Sequence, residues 1–201
     1  MLGLPRGGVP VAFEVARALN APLDVCVVRK LGAPVQPELG IGAVSEGGVI
    51  FVDESTRQLA GVSEPELQAL IQKKRAEVEA RVQRFRRGAP PLALLHHTVI
   101  VVDDGIATGG TAKASLEAIR RRGATKIILA VPVASAESLR ELAPFADAVV
   151  CLHAKDPFYA VGLWYDDFSA TTDEEVVVLL DEARRTGAPP PATPVTPVTP
   201  A

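Results

Sequence analysis

Apolar positions in the second half of the chain fall into short runs that alternate with helical stripes. Thr98–Asp103 (TVIVVD) is almost continuously apolar, as in a strand buried on both faces. Ala112, Leu116 and Ile119 then share one stripe of a helix over 109–122, with Gly123 just past its end. Lys126–Val133 predicts the next strand, Ser135–Leu142 a helix and Asp147–Leu152 another strand. Thr172-Asp-Glu-Glu175 has the form of a capping box and opens a last helix that runs to Arg185. Upstream, Val9–Leu19 reads as a helix entered through Pro10, and Leu23–Arg29 as a strand. Glu38–Ser45 and Gly48–Val52 read as a hairpin that turns at Glu46-Gly47. Ser63-Glu-Pro-Glu66 opens a long helix with Leu67, Leu70, Ile71, Val78, Val82 and Phe85 at helical spacing. Its other face carries Lys73, Lys74, Arg75, Arg81, Arg84, Arg86 and Arg87. Interleaved with Glu77 and Glu79, that face reads as solvated in preference to an anion-collecting rim. The alternation of strand and helix predicts an α/β fold, a mainly parallel central sheet flanked by helices.

Composition narrows the class. The 201 residues are 48% apolar and 22% charged, which fits one globular domain with a substantial core. No apolar run reaches the ~18 residues that a membrane span needs. The N-terminus lacks the basic-then-apolar layout of a secretory signal, so the expected location is cytoplasmic. A net charge of −3 argues against a nucleic-acid partner. Cys26 and Cys151 lie in apolar runs and read as buried thiols, and the adjacent His96 and His97 cannot share one helical face as metal ligands. From Gly187 the chain reads GAPPPATPVTPVTPA, too rich in proline for regular structure. The domain is therefore placed at 1–187 and a disordered tail at 188–201. Only Met1–Leu4 precede the first glycine-rich loop, short for a central strand, so the N-terminal strand is expected to be truncated.

The chemistry concentrates in Val99-Ile-Val-Val-Asp-Asp-Gly-Ile-Ala-Thr-Gly-Gly-Thr111. A buried strand delivers Asp103 and Asp104 at its C-terminal end, where open α/β sheets bind ligands. The small-residue loop that follows opens directly into a helix. Its glycines let backbone N–H groups approach an anion, Thr108 and Thr111 add hydroxyl donors, and the helix N-terminus adds its dipole. Two carboxylates beside a phosphate cradle repel its ligand unless they serve another group. Sugar hydroxyls or a bridging Mg²⁺ reconcile the two. A Walker loop requires Gly-Lys-Ser/Thr, whereas Gly110 is followed by Thr111; the dinucleotide fingerprint Gly-x-Gly-x-x-Gly is absent from this segment.

Asp103-Asp-Gly-Ile-Ala-Thr-Gly-Gly-Thr111 resembles the phosphoribosyl pyrophosphate (PRPP) motif of type I phosphoribosyltransferases. The resemblance implies that family's fold, a parallel sheet with helices and a small hood. It implies that Asp103 and Asp104 hold the ribose hydroxyls, with Mg²⁺ contacted through ligand or water. Ala107, Thr108, Gly109, Gly110 and Thr111 then wrap the 5′-phosphate. Leu2-Gly-Leu-Pro-Arg-Gly-Gly8 is similar to the family's first loop, which puts Arg6, Gly7 and Gly8 against pyrophosphate. Val28-Arg-Lys-Leu-Gly32 is similar to the basic loop that gives Arg29 and Lys30 the same partner. Asp156–Phe168, with the only Trp and both Tyr residues, corresponds to part of the hood; Phe158, Tyr159, Trp164 and Tyr165 become candidates for stacking on a base. The resemblance covers residues 2–185. It departs at Ala107, where members acting on 6-oxopurines carry an aspartate, which makes hypoxanthine and guanine poor expected acceptors.

The implied reaction is Mg²⁺-dependent displacement of pyrophosphate from C1 of PRPP by a ring nitrogen of a base. Catalysis would rest on positioning and charge stabilisation, with no covalent nucleophile. Residues 53–65 or the basic helix are the candidates for a loop that excludes water. The expected partners are PRPP and a small nitrogenous base, with neither nucleic acid nor membrane and with a homodimer left open. Two rivals use the same pocket: a non-catalytic sensor of PRPP or nucleotide, and an accessory domain of a larger enzyme.

Overall fold

The computed structural model describes residues 1–186; the expected tail at 188–201 lies outside the described residues. Within them, eight strands and six helices follow in the order β1 (Leu2–Gly3), α1 (Gly8–Ala18), β2 (Asp24–Val25), β3 (Val28–Gly32), β4 (Gly40–Ser45), β5 (Ile50–Val52), α2 (Glu54–Leu59), α3 (Glu64–Arg86), β6 (Thr98–Val102), α4 (Gly110–Arg121), β7 (Lys126–Ser135), α5 (Ala136–Leu142), β8 (Ala148–Lys155) and α6 (Asp173–Thr186). Five strands form a parallel sheet in the order β2-β1-β6-β7-β8, and β3-β4-β5 form a separate antiparallel sheet. One core joins α1, α3 and α6 to one face, through residues such as Val9, Phe13, Phe85 and Leu180. The other joins α4 and α5 to the opposite face through Leu116, Ile119, Leu129 and Leu142.

Local signals set the helix ends. Glu66 accepts from the Ser63 backbone N–H at 2.9 Å, closing the capping box of α3. At α6, Glu175 accepts from the Thr172 N–H at 2.6 Å while the Glu175 N–H donates to the Thr172 hydroxyl at 3.1 Å. β1 has only two ladder residues, yet both are buried and paired on both sides, Leu2 with Asp24 and with Val101. The Leu4 N–H continues the pairing by donating to Val102 at 2.9 Å.

Two expectations require correction. The single strand expected over Leu23–Arg29 is two strands in two sheets: β2 ends at Val25, and Val28 pairs with Ser45. Val25 and Val27 stay in one core, Cys26 and Val28 in the other. A run buried on both faces keeps the same pattern when it changes partner, so periodicity does not register the switch. The basic face of the long helix is also not uniformly solvated. Arg86 is 4% exposed and pairs with Asp24 at 2.9 Å and Glu46 at 2.7 Å, and both of those acids are buried.

Candidate functional site

The loops after β1, β6 and β8 meet at the C-terminal edge of the parallel sheet. Asp103 and Asp104 follow β6 directly, and an Asp103 carboxylate oxygen accepts the Asp104 N–H at 3.0 Å. The glycines after β1 pack onto this pair. A Cβ on Gly7 would overlap an Asp104 carboxylate oxygen, and one on Gly8 would lie 2.7 Å from the Val102 carbonyl and 2.8 Å from Asp103 Cα. Only glycine permits that approach, so Arg6-Gly7-Gly8 and the acid pair form one surface. Burial, and then the neighbouring Asp104 charge, push the Asp103 carboxyl well above its ordinary value of 3.8. Burial likewise raises Asp104.

The turn from Ala107 to Thr111 is held from behind. Ile106 bridges to Ala134, its N–H donating to Val133 at 3.0 Å and its carbonyl accepting from Ser135 at 2.9 Å. The Ser138 hydroxyl donates to the Ala107 carbonyl at 2.5 Å. Gly109 has φ +72°, the left-handed conformation that favours glycine, and turns the chain into α4. The N–H groups of the first turn of α4 have no partner within the helix and point along its axis into this turn. Open space surrounds Gly110. A cleft of about 330 Å³ lies here, between Thr108, Gly110, Lys113 and Glu117 on one wall and Lys30, Glu38 and Phe51 on the other.

The structure separates Arg29 from Lys30. Successive side chains of β3 point to opposite faces. Arg29 turns with Leu31 toward α3, where its guanidinium is 3.8 Å from Glu77. Lys30 turns to the cleft beside Thr108 and Gly110, where its Nζ donates to the Glu38 carbonyl at 3.1 Å. Arg6 reaches Asp173, at the start of α6, at 3.7 Å.

Among the aromatic candidates, Tyr165 comes to the acid pair: its hydroxyl donates to the Asp104 carbonyl at 2.6 Å, and its ring packs on Phe168 at 5.2 Å between centroids. Burial, and then the charges of Asp104 and Asp103, raise its phenol above its ordinary value. Phe158 is half-buried, Tyr159 is exposed, and Trp164 lies under the Lys155 ammonium at 4.5 Å. Val161 presses on Gly105, where a Cβ would meet it at 2.6 Å. Ser138, Val161 and Asp173 escape sequence reading, because each meets the site through a residue distant in the chain, Ala107, Gly105 and Arg6 respectively. The acidic first turn of α6 is the one visible hint, for Asp173 alone.

These loops, on this sheet, define the phosphoribosyl transferase class. Residues 1–162 match the family model of the phosphoribosyl transferase domain, and the chain belongs to that family. Two Mycobacterium tuberculosis proteins, from strains CDC 1551 / Oshkosh and ATCC 25618 / H37Rv, both named "Putative phosphoribosyl transferase", are 48% identical to it over 185 residues. The match takes in 92% of this chain and 42% of each relative, so the chain spans about two-fifths of the length of the curated relatives it matches. The crystal structure of TT1426 from Thermus thermophilus superposes with a TM-score of 0.83 at 42% identity, over 90% of this chain and 86% of that one. No described helix is long and apolar enough to cross a membrane.

Proposed function

We propose that this chain transfers ribose 5-phosphate from PRPP to a nitrogenous base in a Mg²⁺-dependent reaction that releases pyrophosphate. The observation that carries the reading is the packing of Gly7 and Gly8 onto Asp103 and Asp104, which joins a leaving-group loop to a ribose-binding pair. Asp103 and Asp104 accept hydrogen bonds from the ribose hydroxyls, and the turn from Ala107 to Thr111 with the α4 N-terminus holds the 5′-phosphate. Lys30, on the cleft side of β3, suits that phosphate better than it suits pyrophosphate. Arg6, Arg29 and the N–H group of Gly7 face the pyrophosphate, while the Gly8 N–H donates to the Leu4 carbonyl at 3.1 Å and Gly8 serves by its close approach to Asp103. As the C1–O bond to pyrophosphate breaks, its electron pair leaves with the diphosphate and the base nitrogen forms the C1–N bond, giving up its proton to solvent. Fixed cations beside the leaving group stabilise the charge that develops there. The base would rest against the segment holding Phe158, Tyr159, Trp164 and Tyr165, with Tyr165 pinned to Asp104.

Asp103 and Asp104 suit Mg²⁺. Their carboxyls are half-buried side by side and hold protons above their ordinary value, so a cation near them relieves repulsion. Magnesium commonly takes one or two carboxylates and completes its shell with water and substrate phosphates. When bound it would supply charge neutralisation to the diphosphate.

Incubation with PRPP, Mg²⁺ and a panel of nucleobases, following pyrophosphate release, tests the reading. Release with adenine, uracil, orotate or another base in preference to hypoxanthine and guanine is expected, because Ala107 cannot exchange a proton. PRPP binding without release across the panel would replace the transferase by the sensor.

A further inference from the structure

Helix α3 carries a polar stripe that the proposed reaction does not use. Lys74, Glu77, Arg81 and Arg84 recur at the three- and four-residue spacing that gathers side chains on one face. Three of them touch groups at the mouth of the site or lead to it. Glu77 lies 3.8 Å from Arg29 and 2.9 Å from Lys74. Arg84 lies 3.1 Å from Asp173, whose other oxygen is 3.7 Å from Arg6. Arg81 sits between Glu77 and Arg84 on this face, half-buried, its guanidinium 6.0 Å from the Phe85 ring centre. Along the helix, Arg81 thus falls between Glu77, which meets Arg29, and Arg84, which meets the Asp173 that Arg6 reaches. The same proximity shows in Arg29, whose affinity for its proton is lowered first by burial and then by the Arg81 charge.

The charges around this point do not balance. Arg6, Arg29, Lys74, Arg81 and Arg84 supply five cations against Glu77, Asp173 and Glu174. On a solvated face such cations spread into water. Here the Arg29 side chain is only 25% exposed, so its repulsion with Arg81 is weakly screened. An anion seated between Arg29 and Arg81 would relieve it. Two phosphate-bearing groups compete for the assignment in PRPP. The 5′-phosphate belongs to the Lys30 side of β3, which leaves the diphosphate for the Arg29 side.

We propose that Arg81 is a binding residue for pyrophosphate, so that α3 adds a wall to the leaving-group site beside Arg6 and Arg29. The assignment rests on the transferase reading, and it replaces the expectation that this face of the helix is merely solvated.

The test uses the full chain, Arg81→Gln, Arg81→Lys, and Lys73→Gln as a control on the exposed side of the same helix. Inorganic pyrophosphate and ribose 5-phosphate are titrated separately with Mg²⁺ by calorimetry, beside thermal melts. Arg81→Gln should weaken pyrophosphate binding at least about fivefold, the scale of one partly screened charge-assisted contact. Ribose 5-phosphate affinity and melting temperature should stay unchanged, Arg81→Lys should keep most of the pyrophosphate affinity, and Lys73→Gln should keep all of it. Unchanged pyrophosphate affinity in Arg81→Gln overturns the assignment and leaves the transferase reading intact. Equal losses for both probes also overturn it, since they mark a general charge or folding effect. A wild-type chain that binds neither probe overturns the transferase reading and this assignment with it.

Discussion

Replacing Arg86 by Met should destabilise the domain by about 3 kcal/mol while leaving the acid pair and the turn from Ala107 to Thr111 unaltered. Arg86 donates through Nε to both oxygens of Asp24 at 2.9 and 3.0 Å, through Nη2 to the Val25 carbonyl at 3.1 Å, and pairs through Nη1 with Glu46 at 2.7 Å. Burial works against the Arg86 charge, and the facing carboxylates of Glu46 and Asp24 together outweigh it. Removing the guanidinium leaves two buried carboxylates without their main partner. Breaking such a group costs about 3–5 kcal/mol. The lower end applies because Asp24 still accepts the Val25 and Leu92 N–H groups, at 2.8 and 3.1 Å, and Glu46 keeps Arg122. At roughly 2–4 °C per kcal/mol for a domain of this size, the melting temperature should fall by about 6–12 °C. Circular-dichroism melts and urea titrations at pH 7 measure both quantities. The combined variant Arg86→Met, Asp24→Leu and Glu46→Met should recover more than half of the loss, since the penalty comes from orphaned charge rather than from lost attraction. A loss below about 1 kcal/mol for Arg86→Met would refute the reasoning, because it would put this buried network on the scale of a surface ion pair.

The acid pair gives a pH-dependent prediction. In the folded chain Asp103 and Asp104 hold their protons above the unfolded value, so the stability they contribute is present below about pH 3.8 and is lost as pH rises through their folded values. Asp103→Asn with Asp104→Asn should therefore melt at or above wild type, by a margin larger at pH 8 than at pH 5, and should bind PRPP with Mg²⁺ at least ~10-fold more weakly. Melts at both pH values and calorimetric titration check it; equal margins remove the electrostatic argument, and unchanged PRPP affinity removes the ribose assignment. Gly8→Ala places a methyl group against fixed backbone of Val102 and Asp103. Although alanine favours a helix start over glycine, this change should cost about 1–3 kcal/mol and weaken PRPP binding. A neutral melting temperature would show that the loop moves off the acid pair without penalty.

Much of the site was legible from residue order alone. Thr98–Thr111 announces a strand, a tight turn and a helix start in fourteen residues, because strand burial, glycine torsion and helix-end hydrogen bonding are local requirements that residue types report directly. The capping boxes at Ser63 and Thr172 are legible for the same reason. What stayed hidden depends on partners distant in the chain. Arg29 and Lys30 are neighbours in one basic pair, and only the placement of β3 between α3 and α4 sends them to different sides. Arg86 resembles its exposed neighbours in sequence, and only the approach of Asp24 and Glu46, from two other strands' ends, buries it. Sequence by itself thus determined the order of the elements, the parallel class of the sheet and the acid–glycine turn. Tertiary structure alone decided that β2 and β3 part into two sheets, that Gly7 and Gly8 meet Asp103 and Asp104, and that Tyr165 returns to cap Asp104. Hydrophobic periodicity measures whether a face is buried, and it carries no record of what buries it.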